Sequence, residues 1–170
     1  MARASACWCA QFFVFLVCIN ANFVCYTVDR HNYLLPQIAD TENHRVVAIN
    51  KRTLHVEWQF GRTGLSGKTN ELLNFPSGVA LSADCMRVFV ADAANSRIMM
   101  LSALDGAFLL AYGSLGSGDG QFTCPVALAI SARNVLYVAD ANAHCVHCLS
   151  VRQGARTAHI YSMCILRSSA

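Results

Sequence analysis

From Gly78 to Gly113 the apolar residues fall into four short runs, GVALS, RVFVAD, RIMMLSA and FLLAYG, separated by turn residues. Runs this short, rich in Val, Ile, Phe and Leu, read as β-strands rather than helices. They do not alternate strictly between apolar and polar positions, because VFVA, IMML and FLLAY are apolar at both parities. A strand of that kind has to be buried on both faces of its sheet. The expected unit is therefore a four-stranded antiparallel sheet packed between neighbours.

The pattern recurs. QIADTENHRVVAI (Gln37 to Ile49), FVADAANSRIMML (Phe89 to Leu101) and YVADANAHCVHCL (Tyr137 to Leu149) align without gaps, and Asp40, Asp92 and Asp140 are separated by 52 and 48 residues. Phe60-Gly61 returns as Tyr112-Gly113, and Pro76 returns as Pro125. A repeat of this length made of four strands, with apolar residues on both faces, predicts a β-propeller in which each sheet is one blade.

ADTENHRVV (39 to 47), FPSGVAL (75 to 81), VFVADAANSRI (88 to 98) and YGSLGSGDGQF (112 to 122) resemble successive pieces of the NHL repeat. The resemblance runs from Phe23 to Val151 and covers about two and a half repeats. It implies an all-β fold, a partial β-propeller of four-stranded antiparallel NHL-type blades. Propellers close with about 4 to 8 blades, so the expectation is an incomplete ring. The missing blades would come from a longer chain or from self-association, and a truncated gene product is the favoured explanation. Two copies depart from the pattern. Pro36 stands where the first repeat should have a plain strand, which suits an edge or a bulge. In the third, Asn142 lies one place earlier than Asn43 and Asn95, and Cys145 replaces the arginine of Arg45 and Arg97.

Asp40, Asp92 and Asp140 are read as structural: each ends the second strand and closes the turn into the third by accepting backbone N–H groups two residues on. Arg45 and Arg97 are expected to reach a neighbouring blade's carbonyls or carboxylates. Gly61, Gly113, Pro76 and Pro125 complete the structural motif. With strands a to d in series, the b–c turns and the d–a connectors lie at one end of the blades. Asn43, His44 and Asn95 should therefore share a face with Arg62 and Lys68, and these five are the candidate binding residues. The resemblance implies a module that binds protein through this face. It also admits a lyase of the peptide-amidating type, with a metal held across a complete ring, and a single-stranded RNA-binding propeller.

Other features add less. GRTGLSGKTN (61 to 70) resembles a phosphate loop, but no glycine stands five positions before Gly67, and LLNFPSGVALS leads into a strand, not a helix. It is read as a blade connector, and nucleotide is excluded as a partner. HCVHC (144 to 148) is rich in metal-capable side chains, but strand alternation sends Cys145 and His147 one way and His144 and Cys148 the other, so no metal is expected there. GSGDGQF around Asp119 has a single carboxylate, too few for calcium. No catalytic residue is nominated, and no cofactor.

The composition, 55% hydrophobic and 14% charged with a net charge of +3, fits a folded chain and is neutral on nucleic acid. Residues 1–21, with FFVFLVCI at their centre, resemble a secretory signal or a hydrophobic anchor. A genuine signal would make the protein secreted or membrane-associated; otherwise it is cytoplasmic. Removal of residues 1–21 would leave six of the nine cysteines, an even number that suits an oxidising compartment. Residues 22–151 are the expected propeller segment and residues 152–170 a non-repeat tail.

Overall fold

A computed structural model describes residues 35–151, together with the backbone of the strands β1 (Val14–Ile19) and β2 (Asn22–Thr27). The expected tail and most of the expected leader lie outside the described residues. Within the leader, β1 pairs antiparallel with β2, from Val14 opposite Thr27 to Ile19 opposite Asn22. No helix among the described residues is long and apolar enough to cross a membrane.

The chain forms successive antiparallel sheets in sequence order. The first contains β1, β2, β3 (Gln37–Asp40), β4 (Arg45–Ile49) and β5 (Val56–Phe60). The second is the four-stranded blade that the pattern predicts: β6 (Pro76–Leu81), β7 (Arg87–Asp92), β8 (Arg97–Ser102) and β9 (Phe108–Tyr112). After a short parallel pair, β10 (Ser114–Leu115) with β11 (Gln121–Phe122), the third sheet has β12 (Pro125–Ile130), β13 (Val135–Asp140) and β14 (Cys145–Ser150). The architecture is all-β and propeller-like, with an extra strand on the first sheet and three strands in the third among the described residues.

The two parities of the middle blade explain its unbroken apolar runs. Val88 and Val90 of β7, with Met99 and Leu101 of β8, pack against Val46, Ala48, Trp58 and Phe60 of the first sheet. The alternate residues Phe89, Ala91, Ile98 and Met100 pack against Leu128, Leu136, Val138 and Leu149 of the third. Each core therefore lies between two sheets, as stacked blades require. Among the described residues, the third sheet buries the face towards the middle blade: Leu136 and Val138 are buried, whereas Tyr137 between them is 38% exposed.

The sheets approach most closely at their first strands. A Cβ on Gly78 would meet backbone atoms of Val126, Ala127 and Leu128 at 2.9–3.0 Å, so only glycine fits between β6 and β12. Pro76 and Pro125 open these two strands, where a missing N–H is tolerated. Their carbonyls accept from Thr41 Oγ1 at 2.8 Å and Ser77 Oγ at 3.3 Å, which ties each blade to its predecessor. Pro36 stands immediately before β3 rather than within it, and its carbonyl accepts from Ile49 N at 3.0 Å.

Candidate functional site

The b–c turns and the connectors meet at one end of the blades. In the first two repeats the second strand runs into a single 3-10 turn, Thr41–Asn43 or Ala93–Asn95. A left-handed residue then starts the third strand, His44 (φ 54°) or Ser96 (φ 54°). Asp40 and Asp92 cap these turns without accepting the backbone bonds expected of them. They take side-chain donors instead: Asn43 Nδ2 at 2.9 Å and Arg45 Nε at 2.7 Å for Asp40, Asn95 Nδ2 at 2.8 Å and Arg97 Nε at 2.7 Å for Asp92. Asp92 also accepts from Asn74 N at 2.6 Å, which fixes the entry to β6. In the second repeat the turn N–H of Ala94 donates instead to Asn74 O at 3.1 Å, and the side chains three and five positions on supply the donors to the carboxylate.

The arginine joins this turn to the connector. Arg97 donates to the carbonyls of Lys68 (2.9 Å), Thr69 (2.8 Å) and Leu72 (2.9 Å), and Asn95 donates to Gly67 O at 2.8 Å. The guanidinium thus holds the backbone of 68–72, with Asn95 holding Gly67, while the arginine's shortest bond is to its own blade's aspartate rather than to a neighbour's group. Burial pushes the Asp92 carboxyl above its ordinary range and outweighs the bonds from Asn95, Asn74 and Arg97 that act the other way. Arg45 makes looser contacts, with Gln59 Oε1 at 3.0 Å and Thr63 Oγ1 at 3.1 Å.

The five candidate binding residues divide. Asn43 and Asn95 are engaged with their aspartates. The His44 ring accepts from Phe75 N at 3.1 Å through Nδ1 and stands edge-on to the Phe75 ring at 4.6 Å, so it links the first blade to the entry of the second. Ser96 does the same one repeat later, donating to Thr123 O at 3.2 Å. Arg62 and Lys68 stand on the exposed side of the connector. Arg62 lies 3.9 Å from Glu71, but with side chains 70% and 81% exposed this pair constrains little. Beneath the connectors, a Cβ on Gly61 (φ 91°) would meet His44 O at 2.5 Å, and one on Gly113 (φ 100°) would strike the Phe122 ring at 2.5 Å. GRTGLSGKTN is a connector between β5 and β6, and its Gly67 N donates to Leu73 O at 3.1 Å.

The third repeat is built differently. Asp140 accepts from Thr123 N and Thr123 Oγ1, both at 2.6 Å, from Cys124 N at 2.9 Å and from Ala143 N at 3.1 Å. Burial raises its pKa, but these bonds prevail and hold it below the usual value. His147 is buried with Nε2 3.7 Å from Asp140 Oδ2 and its ring 5.0 Å from that of Phe122. Burial pulls its pKa down, against the opposing pull of Asp140. A cleft of about 340 Å³ opens beside them, lined by Ser117, Thr123, Asn142, Cys145 and His147 among others. Cys145 and His147 face inward while Cys148 is half-buried, and no group of three metal-capable side chains forms among the described residues. Sequence reading passed over Thr41, Asn74, Ser96 and Thr123, the partners that join turns to blade entries. For Asn74 and Thr123 the signal was a polar residue recurring just before the Phe-Pro or Cys-Pro step; Thr41 and Ser96 carried no such signal.

Residues 122–149 match the family model described as NHL repeat. The chain carries an NHL repeat. The match falls on the copy whose asparagine is displaced and whose arginine is lost, so the NHL pattern survives there in its strands and its aspartate. Among solved structures the chain is similar to Kuenenia stuttgartiensis hydrazine synthase, with a TM-score of 0.57 and 15% identity over 77% of this chain. The chain spans 32% of that protein, and the likeness is one of fold. A search of curated proteins found no match.

Proposed function

We propose that this chain is a non-enzymatic NHL-type binding module that recognises protein through the face formed by its b–c turns and connectors. One observation carries the reading. The connector bearing Arg62, Leu65 and Lys68 presents these exposed side chains outward, while Arg97 and Asn95 grip its backbone from below at four carbonyls. A loop held this way loses little conformational freedom when a partner docks, which lowers the cost of binding. NHL repeats are known as protein-interaction modules, and that supports a protein partner over other classes.

The test uses the full chain in solution with partners captured by crosslinking. Contacts from a genuine partner are expected to cluster on residues 62–70, and the Arg62→Ala/Lys68→Ala double variant should bind it at least tenfold more weakly with an unchanged melting temperature. Unaltered binding by the double variant would remove this face as the recognition surface. A partner that proves to be RNA, released steeply as salt rises, would replace the protein reading.

A further inference from the structure

The end of the blades opposite the connectors carries a different surface. Here lie the a–b turns, 82–86 and 131–134, and the c–d turns, 50–55 and 102–107. Three of these turns hold a large apolar side chain at the tip: Leu54 is 76% exposed, Met86 62% and Leu104 82%. Met86 and Leu104 are brought together by the bond from Ala103 N to Met86 O at 3.0 Å. Each tip has its backbone N–H bonded inside its own turn: Leu54 N donates to Asn50 O at 2.7 Å, Met86 N to Asp84 Oδ1 at 3.1 Å and Leu104 N to Ser102 Oγ at 3.3 Å. The tips can therefore leave water without burying an unpaired donor, the main penalty for moving a turn into an apolar phase. The charge around them is uneven. Lys51, Arg52 and Arg133 are exposed on these turns, whereas the carboxylates at this end are engaged: Asp84 lies 3.6 Å from Arg87, Asp105 accepts from Ala107 N at 3.1 Å and Glu57 from Asn50 Nδ2 at 2.8 Å. The register also places Val14 at this end, because it pairs with Thr27, while Phe23 near the start of β2 lies opposite Ala39 at the connector end of β3. Residues 1–13, MARASACWCAQFF, which join the fold at Val14, have one charged side chain, Arg3, and include Trp8, Phe12 and Phe13.

We propose that this end docks on an anionic lipid surface, with Leu54, Met86 and Leu104 in the interface and Lys51, Arg52 and Arg133 among the headgroups. A pocket for a ligand or side chain is concave, whereas these tips project from separate turns of two neighbouring blades, and a fluid interface accepts all three together. Cations flanking the apolar tips are drawn to an anionic leaflet, at about fivefold in affinity per charge. The apolar segment 1–13 is attached at the same end, so it and the tips meet one surface. The connector face lies at the opposite end of the blades and stays open to the partner proposed above, on which this inference does not depend.

The test sediments the full chain with vesicles of phosphatidylcholine alone and of phosphatidylcholine mixed equally with phosphatidylserine. Binding to the mixed vesicles is expected, and it should weaken as salt rises. Met86→Asp/Leu104→Asp should bind them about tenfold more weakly. Arg52→Glu/Arg133→Glu should lose as much on the mixed vesicles and nothing on phosphatidylcholine alone. All four residues are exposed, so both variants are expected to keep the native melting temperature; should the apolar pair not fold, the charge pair decides alone. Arg62→Ala/Lys68→Ala should sediment like the native chain, so the partner face can fail while this surface stands, and the reverse. The surface is ruled out by a native chain that does not sediment with the mixed vesicles. It is ruled out equally by variants that both bind like the native chain, which would leave attachment to residues 1–13 alone, or by loss of binding in Arg62→Ala/Lys68→Ala. Without vesicle binding, self-association that Met86→Asp/Leu104→Asp removes would assign the tips to a second copy, and a protein crosslinked at them would assign them to that protein.

Discussion

Arg97 and Arg45 hold the same place in successive repeats, but the Arg97 side chain is 6% exposed and that of Arg45 27%. Removing one partner of a buried, hydrogen-bonded ion pair leaves an uncompensated charge and costs about 3–5 kcal/mol, whereas a more exposed pair is worth up to about 1 kcal/mol. Arg97→Ala is therefore expected to destabilise the chain several-fold more than Arg45→Ala in urea unfolding, and equal losses would show that the Arg97 carbonyl contacts add nothing. His147 allows a second prediction. Burial lowers its pKa from 6.5, so below about that pH the unfolded chain binds a proton that the folded chain resists, and stability declines as the pH falls through this range. Asp140, held below 3.8, contributes in the same direction only at lower pH, as it becomes protonated. His147→Met, which installs the residue found at the equivalent Met99, should flatten stability between pH 6.5 and the carboxylate range. An unchanged slope would assign that loss to another group.

At the scale of the element, the strands were legible because their period and their length agree. Runs such as RVFVAD and RIMMLSA can be satisfied only by a sheet covered on both sides, and β7 and β8 are covered on both sides. The turns were legible in position but not in chemistry. Which donors an aspartate collects depends on the path of a connector some twenty residues away, as with Asn74 and Asp92, and nothing in the local pattern encodes that path. The junction of blades makes its own prediction. Gly78 has backbone of the next sheet within 3.0 Å of its missing Cβ, so Gly78→Ala has no flexible side chain to displace and must push β6 and β12 apart. Overpacking of this kind costs about 1–3 kcal/mol, or a fall in melting temperature of about 2–4 °C per kcal/mol for a chain of this size. A native melting curve for the variant would mean that the inter-blade spacing is softer than the geometry requires.

At the scale of the whole molecule, the middle blade is sandwiched while the third sheet presents Ala127, Ala129 and the 38% exposed Tyr137 on its far face. A blade face is built to be covered, and an apolar sheet surface that no described residue covers favours association. The chain is expected to self-associate reversibly in sedimentation velocity, and Tyr137→Lys with Ala129→Lys should shift it towards monomer without unfolding it. A native chain that remains monomeric at high concentration would show that this face needs no partner copy.

The sequence by itself determined the all-β class, the four-strand period, the places of the turns and the shared end of turns and connectors, because all of these follow from side-chain alternation and from repetition along one chain. Only the tertiary structure decided what the side chains at that end do. It set His44, Asn43 and Asn95 to bonds within the fold, left Arg62 and Lys68 outside, and placed Cys145, where the second repeat has Arg97, beside a cleft shared with Asn142 and His147. The reason is that hydrogen bonds and cavities belong to groups far apart in sequence, and their partners exist only once the blades have stacked.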